Sequence, residues 1–129
     1  VSRRYTSLDL EFYVPPEVRE QAETNRQASV DAVDLDQDTA RGLITAHNQA
    51  SLDLYNRLLD MGACREQARG VLPQNLMTTY WATVDLHNLL RFLELRDSEH
   101  AQWEIRQYAA AIKDLVKPYV PKLAKVLGW

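Results

Sequence analysis

The stretch "SLDLEFYVPP", residues 7–16, restricts the possible folds of this chain more than any other. Leu8, Leu10, Phe12 and Val14 fall on one side of an extended chain, and Ser7, Asp9, Glu11 and Tyr13 on the other. A period of two is that of a strand with one buried face. Pro15 and Pro16 end it, because proline has no N–H to give to a sheet ladder. A strand needs a partner strand, and the sequence offers no second convincing one. The partner is therefore expected upstream or in another chain. Val1 is not a start methionine and leads directly into this segment, so upstream sequence is expected as well.

The remainder reads as helix. Residues 17–36 are polar and acidic and suggest a partly helical or loose connection. Their "DAVDLDQD" lacks the central Gly and closing Glu of a calcium loop, so a solvated surface is expected there. A helix is predicted over about 38–61, where Ala40, Leu43, Ile44, His47, Leu54, Tyr55, Leu58 and Leu59 recur at helical spacing before Gly62. His47 on that face reads as a core histidine. A short helix at "CREQARG" is broken by "VLP". A long buried helix is predicted over about 74–95. A further helix, capped by Asp97 or Ser98, carries Ala101, Ile105, Tyr108, Ile112, Leu115 and Val116 and stops near Pro118. A closing helix over 121–127 completes an α+β segment, mostly helical, with one N-terminal strand that pairs with an absent upstream sheet. At 129 residues the chain suits one domain.

Composition removes several functions. A net charge of −3 argues against a general nucleic-acid binder. No apolar run reaches the roughly 18 residues of a membrane span, and "VSRRYTSLDLE" has no apolar core of a signal peptide. Cys64, the only cysteine, cannot form an internal disulfide and fits a reducing compartment, so a cytoplasmic protein is expected. Near a helix start and beside Arg65 it has the setting of a nucleophile, but a buried, inert thiol is the plainer reading. His47, His87 and His100 have no metal-ligand spacing, so no metal is expected. Trp81 and Trp103 read as core residues. Of the 15 basic residues 11 are arginine, the side chain suited to bidentate binding of phosphate and carboxylate.

The helix around "LHNLLRFLELR" frames the chemistry. His87, Arg91 and Glu94 share one stripe, while Arg96 ends the helix on another side with Trp81, Leu89 and Phe92. A guanidinium among leucines needs something negative to meet it. In the structural account, Arg96 holds the helix C-terminus and the other three form a surface ion-pair network.

A second account comes from resemblance. "ARGVLP", "TVDLHNLLRFLELR" and "AQWEIRQYA", in that order after "SRRYTSLDLEFYVP", resemble the C-terminal portion of the flavin-dependent thymidylate synthases. In that family the opening follows the signature Arg-His-Arg-x-x-Ser-x-Asn-Glu-x-Ser-x-Arg-Tyr, of which Ser2, Arg3, Arg4 and Tyr5 match the last four positions. The resemblance implies a single domain over 1–129 whose N-terminal part is missing. It implies reductive methylation of dUMP to dTMP, with reduced FAD regenerated by NADPH and with methylenetetrahydrofolate as carbon donor. Ser2, Arg3, Arg4, Arg69 and Arg96 would bind dUMP, and Arg96 would also be catalytic, stabilising the ionised uracil. Asp85, His87 and Arg91 would contact FAD. The family often has Asn-x-Arg at the first two of these positions and Asn or His at the third. It also implies a homotetramer with sites shared between subunits, so this segment alone is not expected to be competent. The rival reading is a degenerate or fragmentary homologue acting as a helical interaction module without catalysis.

Overall fold

A computed structural model describes residues 10–23 and 28–129. The backbone is mostly helical with little strand, as the sequence leads one to expect. It groups into two compact units, one holding residues up to Val18 together with Ala32–Trp81, the other Arg19–Asp31 with Ala82–Trp129.

The first unit is built around helix α1 (Gln37–Asp60). Asp36 caps its start: the carboxylate accepts from the Thr39 N–H at 3.1 Å and from the Thr39 hydroxyl at 2.7 Å. Gln37 fastens the same end to Val18, accepting its N–H at 2.8 Å and donating to its carbonyl at 2.9 Å. Gly62 ends the helix at φ 91°, where the Gly62 N–H reaches Leu59 O and the Ala63 N–H reaches Leu58 O. This is the paired closure that a left-handed residue makes possible. The buried face runs through Asn48, Ser51 and Tyr55. It is rotated from the expected stripe: His47 is exposed, Leu43 is 67% exposed and Leu54 46%. Polar Asn48 and Ser51 take the inner positions that an apolar count cannot assign.

Asn48 is inside because Asn75 meets it. The Asn75 amide donates to Asn48 Oδ1 at 2.9 Å and to the Tyr13 carbonyl at 2.8 Å. Around it, Tyr13 N donates to Asn75 O and Met77 N to Glu11 O, both at 2.8 Å, with Phe12 and Leu76 bridged antiparallel. The alternating segment thus has a pairing partner within the chain, at residues 75–77, that the sequence reading did not find. Residues 7–9 of the alternating stretch lie outside the described residues. Helix α2 (Arg65–Ala68) and a 3-10 turn (Arg69–Val71) follow, anchored by the fully buried Ala68. Cys64 precedes α2 and is exposed, not buried as expected.

In the second unit the expected loose connection contains a small antiparallel hairpin, β1 (Glu20–Gln21) with β2 (Ser29–Val30). Arg19 fixes it, donating to Ser29 Oγ at 2.9 Å and pairing with Asp31. The predicted long helix over 74–95 is shorter: helix α3 covers Leu86–Arg96 only. Residues 77–85 are not helical. Pro73 and the turn at Asn75 precede them, Met77 gives its N–H to Glu11, and Thr78, Thr79, Thr83 and Val84 are β-branched and lose rotamer freedom in a helix. Trp81 lies in this run, wholly exposed and not in a core.

Helix α3 packs against α4 (Trp103–Val116). Their fully buried side chains are Leu93, at 1% exposure, and Ala109. α3 is not buried all round, since Leu86 is 43% and Leu95 63% exposed. Asp97 ends α3 instead of capping α4, which starts after Gln102 without a side-chain cap. Pro118 ends α4 in a 3-10 turn, and α5 (Pro121–Leu127) follows as expected, with Pro121 at its first turn. No helix among the described residues is long and apolar enough to cross a membrane.

Leu93 is the one large side chain fully enclosed among the described residues. Leu93→Ala is expected to cost about 2–5 kcal/mol of unfolding free energy, measured by urea denaturation of the full protein. A loss under about 1 kcal/mol would contradict its role as the anchor of α3.

Candidate functional site

Asp85 starts α3. Its carboxylate accepts the Asn88 N–H at 2.9 Å and the Asn88 amide at 2.6 Å. These bonds, the backbone one foremost, hold its carboxyl below the usual range although the residue is exposed. With α3 started there, His87 and Arg91 emerge one turn apart, followed by Glu94. These three border an open hollow of about 560 Å³, closed on its other sides by Lys113 of α4 and by Leu127 and Trp129 at the end of α5.

Arg96 lies elsewhere on the helix. It borders a second open hollow, about 1010 Å³, with Phe92, His100, Gln102 and Ile105. Glu94 and Ser98 contribute to both hollows. Asp97, next to Arg96, is paired with Lys113.

The expected surface network is not formed. Among the described residues, His87, Arg91 and Glu94 make no ion pair with one another, and Arg96 does not bond the carbonyls at the end of α3. Arg91 and Arg96 are exposed, so the puzzle of a buried guanidinium dissolves. Arg69 is also exposed, with no ion-pair partner among the described residues; it opens the 3-10 turn of the first unit. The structure thus brings His87 and Arg91 together, sets Arg96 on a separate face, and places Arg69 in the other unit. Ser2, Arg3 and Arg4 lie outside the described residues. Sequence reasoning missed His100, Gln102, Lys113 and Trp129. His100 had been weighed only as a metal ligand, although it sits beside the "AQWEIRQYA" motif; Trp129 had no local signal.

A sequence model of the family described as Thymidylate synthase complementing protein matches residues 1–122. The chain belongs to this family. Among curated relatives, the Flavin-dependent thymidylate synthase of Thermus thermophilus is 49% identical over 121 residues, covering 94% of this chain and 44% of that protein. Those of Wolbachia pipientis and Thermosipho africanus are 43% and 42% identical, each covering 93% of this chain and, respectively, 43% and 53% of those proteins. The chain spans about half the length of the curated relatives it matches. The residues at 123–129, which complete the hollow beside His87 and Arg91, lie outside the match to the thymidylate synthase complementing family.

The cap of α3 gives a pH test. A carboxyl whose folded value is depressed adds stability above the ordinary carboxylate range, and that stability is lost as pH falls through the folded value. Asp85→Ala is therefore expected to melt below the parent at pH 7, with the gap closing in acid below the ordinary carboxylate range. Melting curves across pH measure it. A gap independent of pH would show that the charge on Asp85 contributes nothing.

Proposed function

We propose that this chain is the C-terminal portion of a flavin-dependent thymidylate synthase, working in the cytoplasm as a homotetramer with sites shared between subunits. The reaction would be reductive methylation of dUMP to dTMP, with methylenetetrahydrofolate giving the carbon and NADPH regenerating the reduced flavin. The observation that carries the reading is the state of the arginines. Arg69, Arg91 and Arg96 are exposed and without ion-pair partners among the described residues, and the resemblance implies ligand contacts for all three. A structural arginine normally has a carboxylate or a carbonyl to meet. An exposed, unpaired one beside a hollow is ready for an anion.

In this reading Ser2, Arg3, Arg4 and Arg69 bind dUMP, and the cationic ones neutralise its phosphate. Arg96 faces the uracil. Its guanidinium stabilises negative charge on the ring and so lowers the cost of activating the pyrimidine for attack. No thiol takes part in this reading; Cys64 is exposed at the start of α2.

FAD would supply the reducing electrons when bound. His87 and Arg91 fit its diphosphate, since both border one hollow with N–H donors and neither is engaged by another of the described residues. Asp85 does not fit a phosphate. Its carboxylate is anionic and already holds Asn88, so it suits a hydroxyl or a ring N–H, and it also fixes the turn from which His87 and Arg91 project.

The test uses the full-length protein, with dTMP formation followed from dUMP, FAD, NADPH and methylenetetrahydrofolate. Arg96→Lys is expected to lower kcat by about a hundredfold with flavin still bound, because lysine keeps the charge and loses the planar fork. Unchanged turnover would remove Arg96 from catalysis. A parent protein that folds, binds no flavin and makes no dTMP would instead favour a homologue that keeps the fold as an interaction module.

A further inference from the structure

The hollow beside Arg96 contains a titratable group to which the reading above gives no task. His100 lines it together with Phe92, Glu94, Arg96, Gln102 and Ile105. The residue sits in the turn between α3 and α4, and Ser98 holds that turn twice. The Ser98 hydroxyl accepts the His100 N–H at 3.3 Å, and the Ser98 carbonyl accepts the Ala101 N–H at 2.9 Å. His100 is exposed, and its imidazole has no hydrogen-bond or ion-pair partner among the described residues.

The proposed reaction needs a base at this place. Methylation at C5 of a uracil replaces a hydrogen. When the donor's one-carbon unit bonds to C5, the C5–C6 π pair forms the new bond. The C5–H bond must then break. Its electron pair re-forms the C5–C6 double bond, and its proton passes to an acceptor. Arg96 cannot be that acceptor, because a guanidinium has no site for a further proton and does not lose one. The Gln102 amide is not a base. Asp97, next to Arg96, is engaged by Lys113. Glu94 borders the hollow, but a carboxylate is by type a weaker base than an imidazole. Proton transfer works best when the acceptor titrates near the working pH, and imidazole is the side-chain type that does so.

We propose that His100 takes the C5 proton of the pyrimidine held beside Arg96. The two side chains then divide the work: Arg96 stabilises negative charge on the ring, and a neutral His100 nitrogen receives the proton. The proposal rests on the dUMP reading above and deepens it. It also sets a pH dependence. A protonated imidazole cannot accept, so turnover falls in acid as the ring takes up its proton. Glu94 and Arg96 are the charged groups that share the hollow from α3, while α4 contributes Ile105, which does not titrate.

The experiment uses the full-length protein with FAD, NADPH, methylenetetrahydrofolate and dUMP carrying protium or deuterium at C5. The parent is compared with His100→Ala and His100→Gln. Both variants are expected to lose about a hundredfold in kcat, with the KM for dUMP unchanged and flavin still bound. Both should show a larger deuterium effect on kcat than the parent, and neither should keep the parent's acid limb. Added imidazole should restore turnover to His100→Ala, where a space is left for it, and not to His100→Gln. Full turnover in His100→Ala overturns the proposal. So does a loss that comes without an enlarged isotope effect and without rescue by imidazole, which would mark His100 as a structural residue of the turn. A parent that makes no dTMP sinks the thymidylate synthase reading itself, a result distinct from either of these.

Discussion

Asp85 marks the point where an extended run becomes a helix, and the placement of the chemistry in its unit depends on that point. Before it, β-branched residues and the bond from Met77 to Glu11 keep the backbone out of the helical region. After it, the carboxylate satisfies the Asn88 N–H that a helix start would otherwise leave without a partner. A start one residue later would not turn an existing helix, but loss of the cap would fray the turn that carries His87. Leu93, fully enclosed, sets which side faces α4. His87 and Arg91 then border one hollow and Arg96 another.

The exposed cations are hard to explain as contributions to stability. A surface ion pair contributes only about 0–1 kcal/mol, and Arg69, Arg91 and Arg96 form none among the described residues. The chain carries a net charge of −3, so these guanidiniums are local positive features on an acidic background. Such features attract anionic ligands of small size, whereas a broad basic surface would be needed for nucleic acid. Within α3, the aliphatic side chains hold the element in place and the cations stand outside that packing.

How much of this was legible in the sequence varies with the kind of signal. α1 was readable because apolar residues recur at helical spacing up to Gly62, and α5 as a short closing helix; the cap at Asp36 and the left-handed stop at Gly128 are seen only in the structure. The family was readable from ordered motifs, and with it Arg69, Arg91 and Arg96 as candidates. The inner face of α1 was not, because Asn48 is buried through a hydrogen bond to Asn75, distant in sequence, and no apolar period reports such a bond. The start of α3 was misread for a related reason. Leucines near its end dominate a helical count, while the exposed, β-branched run before Asp85 is averaged away. Trp129 was silent because its place beside the hollow depends on a left-handed turn at Gly128.

The pairing of Asp97 with Lys113 connects these observations. Asp97 is the immediate neighbour of Arg96 and is an obvious competitor for its guanidinium, at the negative end of the α3 dipole where cations are favoured. Lys113 takes that carboxylate from across the α3–α4 contact. Both partners are partly exposed, at 23% and 41% for Lys113 and Asp97, so the bond contributes little to stability. Its larger effect is on the allocation of charge. With Asp97 engaged, Arg96 keeps its donors for whatever enters its hollow, and Lys113 is withdrawn from the hollow on the other side, where Arg91 and His87 remain. One lysine thereby keeps the two faces of α3 distinct, each with a cation, Arg91 or Arg96, that has no ion-pair partner among the described residues.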